Sequence, residues 1–171
     1  MQSQEKQQVR RDKVIPRIEK ILYATDLSVN ANYAFGYALS LARSCDARVS
    51  IINVYEKYVT QANINMRSRA FNVAREKLTE KIKEDLGAYC RAENLEEEVQ
   101  FDNLIGEIYV ATGIPVDSIL TTAREKGYDM IVMGTHGHGL LFSALIGSTA
   151  RKMVQHSTIP VMVVRLPEDL N

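Results

Sequence analysis

The chain has 171 residues, with 21 Lys plus Arg balanced by 21 Asp plus Glu, 46% hydrophobic and 25% charged residues. This is the composition of an ordinary globular protein, and zero net charge argues against a partner held mainly by bulk electrostatics, such as duplex DNA or an anionic membrane. At this length roughly 68–70% of the unfolded surface can be buried, enough for a core without disulfides or a structural metal. The two cysteines, Cys45 and Cys90, are far apart and form no Cys-x-x-Cys pair, the pattern of a reducing compartment. No run of about 18 apolar residues occurs, and the N-terminus lacks a signal-peptide core, so a cytoplasmic protein without a membrane span is expected. Residues 1–15 are polar and Gln-rich and read as a flexible tail, and residues 16–171 as a single domain.

Ile18 to Thr25 is a short apolar stretch that stops at Asp26-Leu-Ser28, which predicts a strand leading into a helix start. Ala31, Ala34, Phe35, Ala38, Leu39, Ala42 and Cys45 then recur at helical spacing on one face. Ala47 to Tyr55, rich in β-branched residues, predicts a second strand. A long charged helix follows between Met66 and Asn94, its apolar stripe formed by Phe71, Ala74, Leu78, Ile82, Leu86 and Tyr89. Both cysteines fall on or beside apolar helix faces, where a thiol acts as a small hydrophobe.

Glu98 to Thr112 carries apolar residues interrupted by Asn103 and Gly106 and reads as one strand or two. Pro115 at a first helical turn and Gly127 as terminator bracket the next helix. Met130 to Met133 is a continuous apolar run between Asp129 and Gly134, as in a strand buried on both faces. A glycine-punctuated loop, a helix from Ser148 to His156 and a strand from Pro160 to Arg165 complete the chain. Strands and helices alternate throughout, the signature of an α/β fold with a parallel sheet and helices on both faces.

The segment from Gly134 to Thr149 carries the chemistry. A buried strand ends at Gly134, glycines recur at 137, 139 and 147, and a helix opens with Gly147-Ser148-Thr149. The first-turn N–H groups of such a helix and the positive end of its dipole favour phosphate oxygens, and glycines let the backbone approach them. Gly134 and Gly139 have P-loop separation, but Leu140 stands where that motif requires lysine. The dinucleotide fingerprint fails too, because Gly137-His-Gly139 is followed by Leu, Leu and Phe.

The remaining pattern, Gly134-x2-Gly137-x9-Gly147-Ser148, resembles the nucleotide-binding loop of the universal stress protein family, in its ATP-binding branch. The likeness extends to the opening Lys20-Ile-Leu-Tyr-Ala-Thr-Asp26-Leu-Ser, to Asp129-Met-Ile-Val-Met-Gly134-Thr-His-Gly and to Pro160-Val-Met-Val-Val, and covers Lys20 to Arg165. It implies a Rossmann-like open sheet of five parallel strands in the order 3-2-1-4-5, with ATP and Mg2+ bound where strands one and four separate. By matching position, Asp26 meets adenine or ribose, with Ala24 and Thr25 beside it. Val54 packs on adenine, and Met133 and Gly134 line the base and ribose. Gly137, Gly147, Ser148 and Thr149 hold the phosphates, and His136 is placed to hydrogen-bond them. Two departures stand out: Ala24 replaces a frequent proline, and the loop interior from His138 to Ile146 has no lysine or arginine, leaving Arg151, Lys152 or a metal ion to supply positive charge.

In this topology the last strand is an apolar edge, which would invite aggregation unless covered. The family resemblance implies the cover, a homodimer paired through Val161–Val164. The His136-x-His138 pair has no carboxylate or cysteine close in sequence and is not read as a metal site. No basic stripe with interleaved aromatics suggests nucleic-acid binding. The expected function is a cytoplasmic, dimeric ATP-binding protein of stress response in which nucleotide is a regulatory ligand, and no catalytic residue is assigned. The alternatives are a slow Mg-dependent ATPase, with His136, His138 or Asp26 taking part, and a nucleotide-free interaction dimer.

Overall fold

Ile21, Leu22, Tyr23 and Ala24 are an uninterrupted apolar run, which suits a strand covered on both faces. In the computed structural model they form the centre of β1 (Lys20–Thr25), and none is more than 8% exposed. The structure describes residues 15–28, 31–55, 69–92, 101–135 and 146–165. Of the expected N-terminal tail, only Ile15 lies within the described residues, and its side chain is exposed.

β1 pairs in parallel with β2 (Arg48–Tyr55) on one side and with β4 (Met130–Gly134) on the other. β3 (Ile105–Thr112) extends the sheet beyond β2, and β5 (Val161–Val164) beyond β4. The order is β3-β2-β1-β4-β5, as the resemblance implied. Alternate residues of a strand point to opposite faces, so β1 feeds two separate cores. Ile21 and Tyr23 pack with Phe35, Ala38 and Leu39 of α1 (Ala31–Cys45) and with Ile82 and Leu86 of α2 (Arg69–Ala92). Leu22 and Ala24 pack with Val116, Ile119 and Ala123 of α4 (Pro115–Glu125) and with Ala150 and Met153 of α5 (Ser148–His156). Full burial of a Leu, Ile or Phe contributes about 1.5–3 kcal/mol, so these two layers supply the main driving force.

The helix faces follow the sequence periodicity. Ala34, Phe35, Ala38, Leu39 and Ala42 are buried in α1, with Ala31 and Cys45 at the half-buried margins. In α2, Ile82, Leu86 and Cys90 are buried and Leu78 and Tyr89 half-buried, while the side chains of Phe71 and Ala74 lie outside what the structure describes. Neither cysteine forms a disulfide. α4 begins with Pro115 in its first turn and ends at Gly127, whose φ of +67° provides the left-handed residue that closes a helix. Among the described residues no helix is long and apolar enough to cross a membrane.

The stretch from Glu98 to Thr112 resolves into one strand, β3, preceded by a single helical turn, α3 (Phe101–Leu104). The residues that interrupted its apolar pattern have distinct roles. Asn103 belongs to the turn, and Gly106 sits where the β2–β3 register shifts between Val49 and Ile51. At this bulge the Ser50 hydroxyl accepts the Glu107 N–H at 3.1 Å in place of a strand partner.

At the N-terminal edge of the sheet, Asp129 clasps β1 to β4. Its Oδ2 accepts the N–H groups of Glu19 and Lys20, each at 3.0 Å, and its own N–H donates to the Lys20 carbonyl at 2.8 Å. Lys20 in turn donates from Nζ to the Lys126 carbonyl and lies 4.7 Å from the centre of the Tyr128 ring.

A β-carbon at Gly106 would lie 2.5 Å from Ser50 Oγ, which is already held by Glu107. Gly106→Ala is therefore expected to lower unfolding free energy by about 1–3 kcal/mol in urea titrations. Combining it with Ser50→Ala should recover part of that loss, because the hydroxyl is the obstructing group.

Candidate functional site

The chain leaves β1 toward α1 on one face of the sheet, and α5, which follows β4 in the chain, packs on the other. Two connections that diverge from adjacent parallel strands open a crevice at the carboxyl ends of those strands. A cavity of about 740 Å³ occupies it, within the range of small-molecule sites. Ala24, Thr25 and Asp26 enter its wall from β1 and the turn after it, Val54 from the end of β2, and Met133 and Gly134 from β4. Gly147, Ser148 and Thr149 enter from the start of α5. Every predicted site residue that the structure describes thus lines one cavity. His136 and Gly137, with the loop through Leu145, lie outside the described residues.

The turn after β1 is held by two side-chain to main-chain bonds. Thr25 Oγ1 accepts the Leu27 N–H at 3.0 Å, and Asp26 Oδ1 accepts the Ser28 N–H at 3.1 Å. Between them Leu27, a cavity-lining residue, has a φ of +63°. A left-handed leucine costs about 1–2 kcal/mol, so strain is stored in the cavity wall and held by these bonds. They also place the Asp26 carboxylate at the rim rather than leaving it to swing into solvent.

At the opposite wall, the Gly147 N–H donates to the Thr135 carbonyl at 2.9 Å, and the Gly147 carbonyl accepts the Arg151 N–H at 3.0 Å. The intrahelical ladder of α5 therefore opens at Arg151, and the N–H groups of Ser148, Thr149 and Ala150 carry no intrahelical bond. All three residues line the cavity. Gly147 has φ −57° and ψ 155°, which any residue can adopt. The backbone conformation at this position therefore does not itself require glycine. Arg151 and Lys152 lie on the exposed face of α5, outside the cavity wall.

Apolar surface comes from Ile52, Val54, Met133, Pro115 and Ile119. Tyr23 adds a polar contact beneath: its hydroxyl donates to the Ala31 carbonyl at 2.6 Å. Burial pushes this phenol well above the ordinary tyrosine range, which keeps it protonated as a donor.

Two residues that sequence reasoning did not select also line the cavity. Asn53 and Thr135 are 5% and 7% exposed. Asn53 Nδ2 donates to the Thr25 carbonyl at 3.0 Å, but its Oδ1 is buried without a partner, as is Thr135 Oγ1. The third such buried oxygen among the described residues, Ser28 Oγ, belongs to the strained turn. An unpaired buried polar group costs about 1–3 kcal/mol, and two of these three belong to residues of the cavity wall. The signal available in the sequence was a polar residue inside an apolar strand run, Ile51-Ile52-Asn53-Val54. Among the described residues no cluster of three His, Cys, Asp or Glu side chains could hold a metal ion.

Thr135→Val replaces a buried, unpaired hydroxyl by a methyl of nearly the same shape. It is expected to stabilise the ligand-free protein by about 1 kcal/mol, read as a higher urea midpoint with an unchanged slope.

Comparison with known proteins agrees with this arrangement. The sequence profile of the universal stress protein family matches residues 17–165. The universal stress protein YxiE of Bacillus subtilis is 31% identical over 147 residues, covering 85% of this chain and 98% of its own. The universal stress protein MJ0577 of Methanocaldococcus jannaschii is 28% identical over 159 residues, covering 86% of this chain and 94% of its own. Its solved structure superposes with a TM-score of 0.64 over 90% of this chain and 100% of that one, at 27% identity. A universal stress protein solved in complex with cAMP has a TM-score of 0.57 at 20% identity, covers 89% of this chain and all of that one, and shares the fold. The profile match spans all five strands and the crevice between β1 and β4, and on that match and the YxiE identity the chain belongs to the universal stress protein family.

Proposed function

We propose that the protein binds an adenine nucleotide, ATP with Mg2+, as a regulatory ligand in stress response, and that it acts as a cytoplasmic homodimer. The observation that carries the nucleotide reading is the convergence, in one cavity, of the open first turn of α5 with the Asp26 carboxylate and the apolar residues Ile52, Val54 and Met133. The residues fit the ligand. Ser148, Thr149 and Ala150 offer backbone donors at the positive end of a helix dipole, with two hydroxyls besides, for the phosphates. Val54, Met133 and Ile52 offer apolar surface for a base, and Asp26 offers a carboxylate for ribose hydroxyls. Bound Mg2+ would ride on the phosphates and offset their charge. The related protein solved with cAMP supports an adenine nucleotide as the ligand class.

Calorimetric titration of nucleotide-stripped protein with ATP and Mg2+ tests the reading. Saturable binding is expected, and Gly147→Val should weaken it about tenfold or more while circular dichroism stays unchanged. The valine suits the observed φ and ψ but puts two methyl groups beside the phosphate donors. Binding that survives unchanged in this variant would locate the nucleotide elsewhere.

The dimer reading rests on β5. It is an edge strand among the described strands and consists of Val161-Met-Val-Val164. The Ile131 N–H bonds the Pro160 carbonyl and the Thr135 N–H bonds the Val164 carbonyl, so the alternation of a parallel ladder turns the main-chain groups of Val161 and Val163 outward. A second copy could pair with them. Val163→Pro removes an outward N–H without touching the β4 ladder. Light scattering after size exclusion should report a folded monomer for this variant and a dimer for the parent.

A further inference from the structure

Asp26 is held from three sides. The Thr25 carbonyl, in the peptide group before it, accepts from Asn53 Nδ2 at 3.0 Å. The Leu27 N–H, in the peptide group after it, donates to Thr25 Oγ1 at 3.0 Å, and the Ser28 N–H donates to Asp26 Oδ1 at 3.1 Å. Both peptide planes that flank Asp26 are therefore fixed by side chains, which sets its φ and ψ, and its carboxylate is fixed in turn by the main chain. The turn is also tied back to β1. The Ser28 carbonyl accepts the Ala31 N–H at 3.0 Å, and the Ala31 carbonyl accepts from the buried Tyr23 hydroxyl at 2.6 Å.

As contributions to stability these bonds are poor. Asn53 makes one bond to Thr25 and leaves its Oδ1 buried without a partner, so much of the gain is offset. The Thr25 hydroxyl holds Leu27 at φ +63°, a conformation that a β-carbon disfavours. What the two bonds do provide is a defined direction for one carboxylate, and its residue is half-buried in the cavity wall. A carboxylate has about four acceptor positions, so the Ser28 N–H orients the group without exhausting it. A ligand that donates from two neighbouring hydroxyls then meets an acceptor already in place, and binding loses no further side-chain entropy at that contact. The phosphate donors stand on α5, which follows β4, so a change confined to this turn leaves them where they are.

Building on the proposed nucleotide site, we infer that Thr25 and Asn53 are positioning residues for ribose recognition: by locking the two peptide groups around Asp26, they preset its carboxylate to accept from the 2′- and 3′-hydroxyls. Asn53 acts through the Thr25 carbonyl and Thr25 through the Leu27 N–H, and the contact with the sugar is made by Asp26.

The test is calorimetric titration of nucleotide-stripped protein with ATP and with 2′,3′-dideoxy-ATP, which keeps the base and phosphates and lacks both ribose hydroxyls. The parent should bind ATP about tenfold or more tightly than the dideoxy analogue. Thr25→Val keeps the shape of the side chain and removes the acceptor for the Leu27 N–H. It should weaken ATP about fivefold or more and shift dideoxy-ATP by less than about twofold, and Thr25→Ser, which restores the hydroxyl, should recover the preference for ATP. Asn53→Leu, which takes the donor from the Thr25 carbonyl, should show the same signature as Thr25→Val, and whichever of the two is folded by circular dichroism carries the test. In an Asp26→Ala background neither change should have a further effect on either nucleotide. Equal weakening of both nucleotides, an unchanged preference for ATP in the folded variants, or a further loss in the Asp26→Ala background would overturn the inference. Equal binding of the two nucleotides by the parent would withdraw the ribose contact and this inference with it but leave the nucleotide reading standing, whereas the absence of any saturable ATP binding by the parent would withdraw that reading itself.

Discussion

The pairing of β1 with β4 is the constraint on which the rest of the molecule depends. Both strands run the same way, so both must send the chain onward from the same edge of the sheet, and they do so toward opposite faces. Neither α1 nor α5 can then cover the gap between them. The Asp129 clasp at the far edge holds the two strands together, so the cavity at the carboxyl edge opens without loosening the sheet. The site is a consequence of topology first and of particular side chains second.

Those side chains divide the work by strand. β1 supplies a carboxylate on a strained turn, β4 hands over to a helix whose first N–H groups have no intrahelical partner, and β2 contributes an apolar contact and an amide. Strain at Leu27 and unpaired oxygens at Ser28, Asn53 and Thr135 are all unfavourable in the ligand-free protein, and all lie within this one region. The two packed cores on either side of the sheet offset these costs.

Most of the fold was legible because its signals were redundant. Pro115 and Gly127 bracketed α4, Gly134 closed β4, and the apolar stripe of α1 coincides with its buried face. The segment before β3 was less so, since a single helical turn is too short for periodicity to distinguish it from a strand. In the site, Gly147 lines the cavity, but the use of its N–H to bond Thr135 depends on a contact twelve residues back along the chain. Asn53 and Thr135 went unselected for a related reason. A polar residue in a strand reads as an interruption until the sheet order shows that it opens onto the same cavity as residues from β1, β4 and α5.

The ring stack beneath the cavity has an optical consequence. Tyr23 lies 5.4 Å from Phe35, and Phe35 lies 5.9 Å from Tyr89, which forms a continuous aromatic series from the cavity wall through α1 to α2. The chain contains eight tyrosines and no tryptophan, so its near-ultraviolet spectrum is a tyrosine spectrum unobscured by indole. Tyr23 is 1% exposed and hydrogen-bonded, which makes its ring chirally fixed, whereas Tyr37 and Tyr55 are exposed and contribute little ellipticity. The protein thus carries an intrinsic chromophore at the wall of its own cavity, and a change in packing there registers in the near-ultraviolet without a label.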